Sequence, residues 1–368
     1  MDALVYQIAL SLLPGIGSIR TRSILAHVGS AENFFTESSK ILEKIPGVGS
    51  HPATNSQRKK ALEAAKKEYE FVKNNHIRTA WFLDDDYPMR LKQCEDAPVI
   101  IYIRGDTNLD TKRIISIVGT RHATSYGIGQ CKKIVEELAA FFPDLLVISG
   151  LAYGIDVCAH KAALKNGLQT VAVLGHGLHM IYPAIHRQVA REIVSRGALV
   201  TEFATSQIPD KGNFIARNRI IAGLADTTLV VESGIKGGAL ITADLANSYN
   251  RDVFALPGRT SDTWSQGCNQ LIKRNQAALI ESGKDIAYLM GWETSPPNKN
   301  DVQKELFAEL NEEEKKLLGI LKKHGEISVD QLAVLANISV SKVSSILLNL
   351  EFAGLITILP GNIYRYLA

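Results

Sequence analysis

From residue 114 onward, short unbroken apolar runs alternate with longer stretches that have the periodicity of helices. The runs lack the polar–apolar alternation of a half-exposed strand, so each predicts a strand buried on both faces of a sheet. Buried strands separated by helices predict right-handed crossovers and an α/β fold with an extended Rossmann-like, doubly wound, mainly parallel sheet. The predicted strands are residues 114–118, 145–148, 170–174, 199–201, 229–231, 253–256 and 278–280.

Basic residues and glycines gather in the predicted turns at the carboxyl ends of these strands. Ligands of open α/β sheets bind in the crevice at that edge, where backbone N–H groups and helix N-termini can hold phosphate. Basic residues are most concentrated in segment 211–219, which begins a predicted helix and contains one lysine and two arginines. The residues predicted to bind phosphate or DNA are Gly119, Arg121, Ser149, Gly150, Gly154, Lys211, Phe214, Arg217, Asn218, Arg219, Lys236, Gly237 and Gly238.

These turns carry no signature of a reaction. The sequence contains no GxxxxGK[ST], GxGxxG or GxSxG motif, and His176 and His179 lack a carboxylate or cysteine partner at metal-ligand spacing. Asp156 either orients Arg121 or caps a helix, and the capping role is favoured. We therefore predict no catalytic residue, no metal and no cofactor.

Aromatic residues accompany the cations. Tyr126, Tyr153 and Phe214 are close enough in sequence to the basic residues to offer stacking faces, although Phe214 is equally compatible with a core position. Stacking faces beside phosphate-binding cations, without a nucleophile, are typical of proteins that hold single-stranded nucleic acid.

The segments on either side predict smaller helical domains. Residues 1–75 read as short helices of a helix-hairpin-helix or SAM-like domain, with glycine turns at 10–20 and 45–49 that either meet a DNA phosphate or simply join helices. The Rossmann-like domain is predicted over residues 76–291 and a proline-bearing linker over 292–311.

Residues 312–368 predict three helices followed by a hairpin, which is a winged helix. The helix that would read a DNA groove carries Lys342 but no arginine or glutamine. Since duplex readers usually place several cations or amides there, the pattern favours protein contact or domain packing over base reading.

The charge distribution and the cysteines further limit what kind of protein this is. The 368 residues carry a net charge of +3, and residues 108–290 hold 19 basic against 15 acidic residues, so a local basic groove is expected. The four cysteines form no CxxC pair, no apolar run reaches the ~18 residues of a membrane span, and no basic leader precedes the first apolar stretch. These features predict a cytoplasmic protein without a membrane span.

Several motifs occur in a fixed order along the chain. They are Tyr87-Pro88, Val118-Gly119-Thr120-Arg121, Ser149-Gly150-Leu151-Ala152-Tyr153-Gly154-Ile155-Asp156, Leu174-Gly175-His176-Gly177, Tyr182-Pro183, Arg217-Asn218-Arg219-Ile220-Ile221-Ala222-Gly223-Leu224, Leu240-Ile241-Thr242-Ala243 and Leu256-Pro257-Gly258. With this order and spacing, residues from about 8 to 291 resemble the DNA-processing protein A family, also called DprA or Smf. The C-terminal segment resembles the winged helix that some members carry.

The resemblance implies a homodimeric single-stranded DNA-binding protein of natural transformation and recombination, not an enzyme. It implies that the protein protects incoming DNA and loads the RecA recombinase onto it. By motif match, the resemblance assigns Arg121, Lys211, Phe214, Arg217 and Arg219 to the DNA site.

The alternative is an enzyme, a nucleoside-monophosphate phosphoribohydrolase of the lysine-decarboxylase-like (LOG) family. Such enzymes are similar in sheet and arginine-bearing helix, but their glycine-rich turn holds a catalytic glutamate. Here the corresponding segment, 237–243, contains no carboxylate, and the first acid is Asp244. The sequence therefore favours DNA binding over hydrolysis.

Overall fold

The structure, a computed structural model, describes residues 2–45, 54–292, 311–352, 355–359 and 363–366. The chain divides into two compact units, residues 1–294 and 295–368. Most of the predicted 292–311 linker and of the second glycine turn, at 45–49, lies outside the described residues. The predicted boundary between residues 75 and 76 falls inside the first unit and stays a prediction.

The first unit begins with short helices that bury Ile8, Leu10, Ile24 and Phe34 completely. The first glycine turn joins two of these helices, and both arginines that follow it bond within the protein. Arg20 donates to the Gly15 carbonyl at 2.6 Å, while Arg22 lies near two carbonyls of the 94–97 segment at 3.5 Å. The helices are α1 (Ala3–Ser11), α2 (Ser18–Val28), α3 (Ala31–Thr36), α4 (Ser39–Leu42) and α5 (Asn55–Asn74).

Helix α5 starts eight residues before the amphipathic stretch 63–74 that the apolar pattern indicates. Thr54 and Gln57 form a capping box, which supplies partners for the first backbone N–H groups. Arg58 is buried in the first turns and donates to the carbonyls of Phe34 and Glu37 at 3.1 and 2.7 Å. Because a charged residue occupies this buried position, the spacing of apolar residues does not reveal that the helix begins here.

The remainder of the first unit is the predicted alternation of strands and helices. A single 3₁₀ turn, Ala184–His186, precedes the helix before the sixth strand. The elements are β1 (Arg78–Trp81), α6 (Met89–Lys92), β2 (Ile100–Gly105), β3 (Ile114–Val118), α7 (Ser125–Phe141), β4 (Leu146–Ser149), α8 (Ile155–Lys165), β5 (Gln169–Val173), α9 (Arg187–Arg196), β6 (Ala198–Thr201), α10 (Lys211–Leu224), β7 (Thr227–Val230), α11 (Gly238–Ser248), β8 (Asp252–Ala255), α12 (Gln266–Lys273), β9 (Ala278–Leu279) and α13 (Gly283–Leu289).

The strands form one sheet in the order β1-β2-β6-β5-β4-β3-β7-β8-β9. Every pair from β6 to β9 is parallel, whereas β1 and β2 add antiparallel strands at one edge. Ile115 and Ile117 pack in one apolar cluster and Ile114 and Val118 in the other, so helices cover both faces of β3. The doubly wound, mainly parallel fold predicted from the unbroken apolar runs is confirmed.

The strand order reverses between β3 and β7, which are neighbours although four helices and three strands separate them in sequence. Their carboxyl ends therefore flank the switch point of the sheet, the place where this topology opens a crevice. The turns that carry the predicted site residues all emerge at this edge.

In the part of the second unit that the structure describes, there are three helices and a three-stranded sheet of order β10-β12-β11. The predicted helices and hairpin are present, and the short strand β10 adds to the hairpin. Lys342, in the third helix, pairs with Glu313 of the first helix at 2.6 Å. The elements are α14 (Glu312–His324), β10 (Glu326–Ser328), α15 (Val329–Ala336), α16 (Val340–Phe352), β11 (Ile356–Leu359) and β12 (Ile363–Tyr366).

Across the described ranges, no single helix is long and apolar enough to cross a membrane, and only one pair bent by 108°, α15 with part of α16, passes that test by length and composition. Within the same ranges no group of three or more His, Cys, Asp or Glu side chains is arranged to hold a metal ion. His176 instead lies in the turn after β5, between the Gly177 carbonyl at 3.0 Å and the Tyr182 N–H at 3.2 Å.

Candidate nucleic-acid interface

A buried glutamate fills the switch point. Glu232 follows β7 and is only 2% exposed. Its carboxylate accepts hydrogen bonds from the backbone N–H and hydroxyl of Thr124, the N-cap of α7, at 2.9 and 2.5 Å. A Cβ on Gly127 would come within 2.2 Å of this carboxylate. The N-terminus of α7, which this topology commonly offers to a phosphate, is thus held by the protein's own anion.

The side chain of Arg121 leaves the turn after β3 and lies over the ring of Phe214. The guanidinium carbon is 6.0 Å from the ring centroid, which is the outer range of a cation–π contact. The Tyr182 ring lies beside Phe214 at 5.6 Å and is 49% exposed. Arg121 is exposed and Phe214 half-buried, so these three side chains, which we call the Arg121 cluster, present a cation and two rings to solvent.

The ring of Phe214 is held from below by a glycine. A Cβ on Gly175, in the turn after β5, would come within 2.7 Å of the ring. Phe214 is therefore neither a fully buried core residue nor a free one. It is fixed against the end of the sheet with part of its surface open.

Lys211 opens α10 as an exposed residue, one helical turn from Phe214. Asp210 caps this helix and accepts from the backbone N–H groups of Gly212 and Asn213. The cap supplies an acceptor for two of the N-terminal donors of α10. Lys211 is therefore an exposed residue at the start of the helix that carries Phe214.

Arg217 lies beneath this surface. The residue is 4% exposed, and its Nη1 donates to the carbonyls of Gly150 and Val173 at 2.8 and 2.5 Å. A Cβ on Gly150 would reach within 2.2 Å of the guanidinium, so a larger residue there would displace Arg217 from its bonds. Burial lowers the pKa of Arg217 to about 10, partly opposed by Asp156 nearby. The structure assigns Arg217 partners inside the protein, under the turn after β4.

Three further buried side chains lie at the same turn. Asp156, in the first turn of α8, accepts from the Ala152 N–H at 3.4 Å, and burial raises its pKa against the opposing effect of Arg217. His186 meets the Leu151 carbonyl at 2.9 Å. Ser149 is buried and donates to the Ile117 carbonyl at 2.6 Å. Asp156 therefore supports the turn before α8. It does not cap the helix, because the N-cap is Gly154 and has no side-chain hydrogen bond, so the favoured capping role is wrong.

His160 belongs to this buried layer as a neutral imidazole. Thr170 donates its hydroxyl proton to the Val147 carbonyl at 2.8 Å, so its oxygen accepts from Nδ1 of His160 at 2.7 Å. Nε2 of His160 is buried without a hydrogen-bond partner. Burial, reinforced by Arg217, lowers the pKa of His160 to about 3 from a reference value of 6.5.

We expect this histidine to make folding weaken in acid. Below pH ~6.5 His160 becomes protonated in the unfolded chain, whereas in the folded protein it stays neutral down to pH ~3. The free energy of unfolding therefore falls as the pH falls through this window. His160→Asn keeps an N–H near Thr170 but cannot titrate. The difference in unfolding free energy between wild type and this variant should shrink by about 2 kcal/mol from pH 7.5 to 5. Urea unfolding at both pH values measures it, and a constant difference would contradict a neutral, buried His160.

Arg219 points away from the Arg121 cluster. It bonds the carboxylate of Glu202 and donates to the Asp96 carbonyl at 2.6 Å. Burial raises the pKa of Glu202 although Arg219 opposes the shift. These side chains form the wall of a cavity of about 420 Å³ below the first glycine turn of the N-terminal helices. The structure does not bring Arg219 together with Arg121.

Three more of the predicted residues, Lys236, Gly237 and Gly238, lie where the turn after β7 enters α11. Lys236 and Gly238 are exposed, and a Cβ on Gly237 would clash with the Ser233 hydroxyl at 2.2 Å. The side-chain amide of Asn218 reaches the Gly238 carbonyl at 3.5 Å, which joins this turn to α10. Lys236 is thus a third exposed cation at this edge of the sheet, after Arg121 and Lys211.

Close packing explains the two glycines nearest Arg121. A Cβ on Gly119 would approach Ile155 of α8 to 2.5 Å. Gly154 has a φ of +76° and lies so near the Thr120 carbonyl that a Cβ would come within 2.2 Å. Both residues let the turns after β3 and β4 touch, and this contact positions Arg121.

The other two aromatic residues predicted to offer stacking faces, Tyr153 and Tyr126, lie on different sides of the switch point. Tyr153 is 48% exposed and lies edge-on to His186 at 5.2 Å, in the turn after β4 under which Arg217 lies. Tyr126 is 46% exposed but donates its hydroxyl to the Pro257 carbonyl at 3.0 Å, on the other side of the switch point. Sequence reasoning missed Tyr182 as a ring neighbour of Phe214. Tyr182 lies in the loop after β5 and Phe214 in α10, and nothing in the sequence around either residue indicates that the two rings meet.

Known proteins resemble this chain over most of its length. The family model described as DNA recombination-mediator protein A matches residues 78–291, and that of the DprA winged helix domain matches residues 303–362. A protein from Synechocystis sp. described as Protein Smf is 30% identical over 98% of each chain.

Two solved structures are similar as well. DNA processing protein A from Streptococcus pneumoniae superposes with a TM-score of 0.66 and 31% identity, covering 78% of this chain and 98% of that one. A Helicobacter pylori DNA processing protein A, whose structure describes its single-stranded DNA binding mode, superposes with a TM-score of 0.53 and 29% identity, covering 60% of this chain and 99% of that one.

Proposed function

Because this chain belongs to the DNA recombination-mediator protein A family, we propose that it binds single-stranded DNA along the carboxyl edge of its parallel sheet. The observation that carries the proposal is the Arg121 cluster. An exposed guanidinium beside two partly exposed rings offers one contact for a phosphate and two stacking faces for bases. Lys211 extends the positive charge along α10.

We assign Arg217 and Arg219 to positioning. Both are predicted DNA-site residues, yet their guanidinium groups bond protein carbonyls and a carboxylate. Arg217 supports the turn after β4, which touches the turn carrying Arg121. In this proposal they shape the surface that Arg121, Phe214 and Lys211 offer to DNA.

The buried acids support binding without cleavage. Two carboxylates at the crevice, Glu232 and Asp156, accept hydrogen bonds from the Thr124 cap and the Ala152 backbone. A phosphoribohydrolase needs a carboxylate that reaches its substrate, and these two face inward. We therefore propose that the phosphates of the DNA are held and released intact.

The description of the family supports a more specific role for the protein. We propose that the protein acts in the cytoplasm as a homodimer, protects incoming DNA in natural transformation and loads the RecA recombinase onto it. The relatives described as recombination-mediator and DNA-processing proteins favour this role.

A binding experiment tests the proposal. In filter binding, the protein should retain single-stranded DNA at salt concentrations that release a duplex of equal length. The logarithm of affinity should fall with that of salt by about 0.7 for each phosphate neutralised. Arg121→Ala should weaken all sequences alike and reduce the slope by about 0.7.

Lys165→Ala is the matched control. Lys165 is an exposed cation at the C-terminal end of α8, which lies at the opposite edge of the sheet. Its removal should leave affinity and slope unchanged. Equal retention of both DNA forms, or an Arg121→Ala protein that binds like wild type, would contradict the proposal. Release of ribose 5-phosphate from AMP would support the hydrolase instead.

A further inference from the structure

Two adjacent side chains diverge where β3 ends. Arg121 turns toward Phe214, while His122 turns to the other side of the switch point and stacks on Trp264. The His122 and Trp264 ring centroids are 5.4 Å apart with an interplanar angle of 24°. His122 is exposed and Trp264 half-buried. The protein therefore carries a second pair of partly open rings that the Arg121 cluster does not include.

Trp264 is held firmly by the turn after β7. Its carbonyl accepts from the Ser233 N–H at 2.6 Å, and a Cβ on Gly234 would come 3.4 Å from Cζ3 of the indole. The hydrogen bond from Tyr126 to Pro257 ties the preceding loop to α7. The indole thus lies between Gly234 and the imidazole, and the outer face of His122 remains open.

We propose that the His122–Trp264 pair is a second stacking platform, which takes a base of the same DNA strand after the strand has crossed the switch point. The proposal rests on the proposed function, because it extends the path that begins at the Arg121 cluster. Glu232 fills the switch point between the two, so a strand passes over a closed surface from one pair of rings to the other.

The charges around the platform suit a nucleic-acid backbone. Lys236 lies in the turn that holds Trp264, and Arg259 lies in the loop just before it; both are exposed. Asp262 is the exposed acid of that loop and opposes them. Two cations against one acid leave a positive balance beside the rings, which is what a phosphate between two stacked bases requires.

Length dependence tests the platform. Oligothymidylates from about 4 to 20 nucleotides span the site sizes of comparable single-strand binders. The double variant His122→Ala/Trp264→Ala should bind the shortest oligomers like wild type and the longest at least about fivefold more weakly, since one stacked base contributes about 1 kcal/mol or more. His122→Ala alone, at an exposed position, and Trp264→Phe, which keeps a ring, check that any loss does not come from unfolding.

Photocrosslinking supplies a second readout. A long oligomer carrying 5-iododeoxyuridine should crosslink to His122 or Trp264 as well as to the Arg121 cluster, whereas a short oligomer should reach the Arg121 cluster alone. Equal affinity of the double variant and wild type at every length would overturn the platform. Equal weakening at every length would also overturn it. If no oligomer binds at all, the proposed function itself fails.

Discussion

Arg217→Ala is expected to lower the free energy of unfolding by roughly 2–5 kcal/mol, because each buried acceptor left without a donor costs about 1–3 kcal/mol. The substitution removes the donor to the Gly150 and Val173 carbonyls and the cation that faces buried Asp156. It also opens a hole beneath Gly150, where the guanidinium now packs. Urea unfolding followed by circular dichroism measures the change as a lower midpoint at unchanged slope.

Arg121→Ala is the control, since it deletes the same side chain at an exposed position. Its free energy of unfolding should stay within about 0.5 kcal/mol of wild type. The two variants should therefore separate stability from binding. An Arg217→Ala protein as stable as wild type that no longer binds DNA would show that Arg217 reaches the DNA, contrary to its assignment as a positioning residue.

Phe214→Ala is expected to weaken single-stranded DNA binding by about 1–3 kcal/mol, or roughly 5- to 150-fold, the usual contribution of a stacked base. The ring is half-exposed between Arg121 and Tyr182 and rests on Gly175, so its loss removes a stacking face and the support for its neighbours. Fluorescence anisotropy with a labelled oligothymidylate measures the affinity.

Two replacements at this position separate the ring from its bulk. Phe214→Tyr keeps the aromatic face and should bind nearly as well as wild type. Phe214→Leu keeps much of the volume but loses the π-face, and should resemble Phe214→Ala. Binding by Phe214→Leu equal to that of wild type would mean that the residue acts as packing and that bases do not stack on it.

The strands could be predicted because burial on both faces produces an unbroken apolar run. Residues 114–118 are predicted as a strand and form β3 without a shift. The crevice followed from the same pattern, since parallel strands bring their carboxyl ends to one edge. The antiparallel pairing of β2 with β6 has no such signal, because the two strands lie about a hundred residues apart in sequence and only folding brings them together.

The division of the arginines into exposed and buried ones was harder to predict. Arg217 precedes Ile220, Ile221 and Leu224 at helical spacings, which puts it on the buried stripe of α10. That spacing was a usable signal. Nothing local marks the acceptors, since the Gly150 and Val173 carbonyls lie 67 and 44 residues away in sequence. A charged side chain among apolar ones is read as a surface residue unless such partners are known.

Glu232 decides what shape of ligand the edge of the sheet can accept. An open helix N-terminus at a switch point binds a phosphate inside the crevice, as it does the pyrophosphate of a dinucleotide. With the Glu232 carboxylate bonded to Thr124, the protein's own acid occupies that position and a terminal phosphate cannot end there. In the proposed binding mode the ligand therefore lies across the turns and needs no free end. A DNA strand of any length can then be held at an interior position.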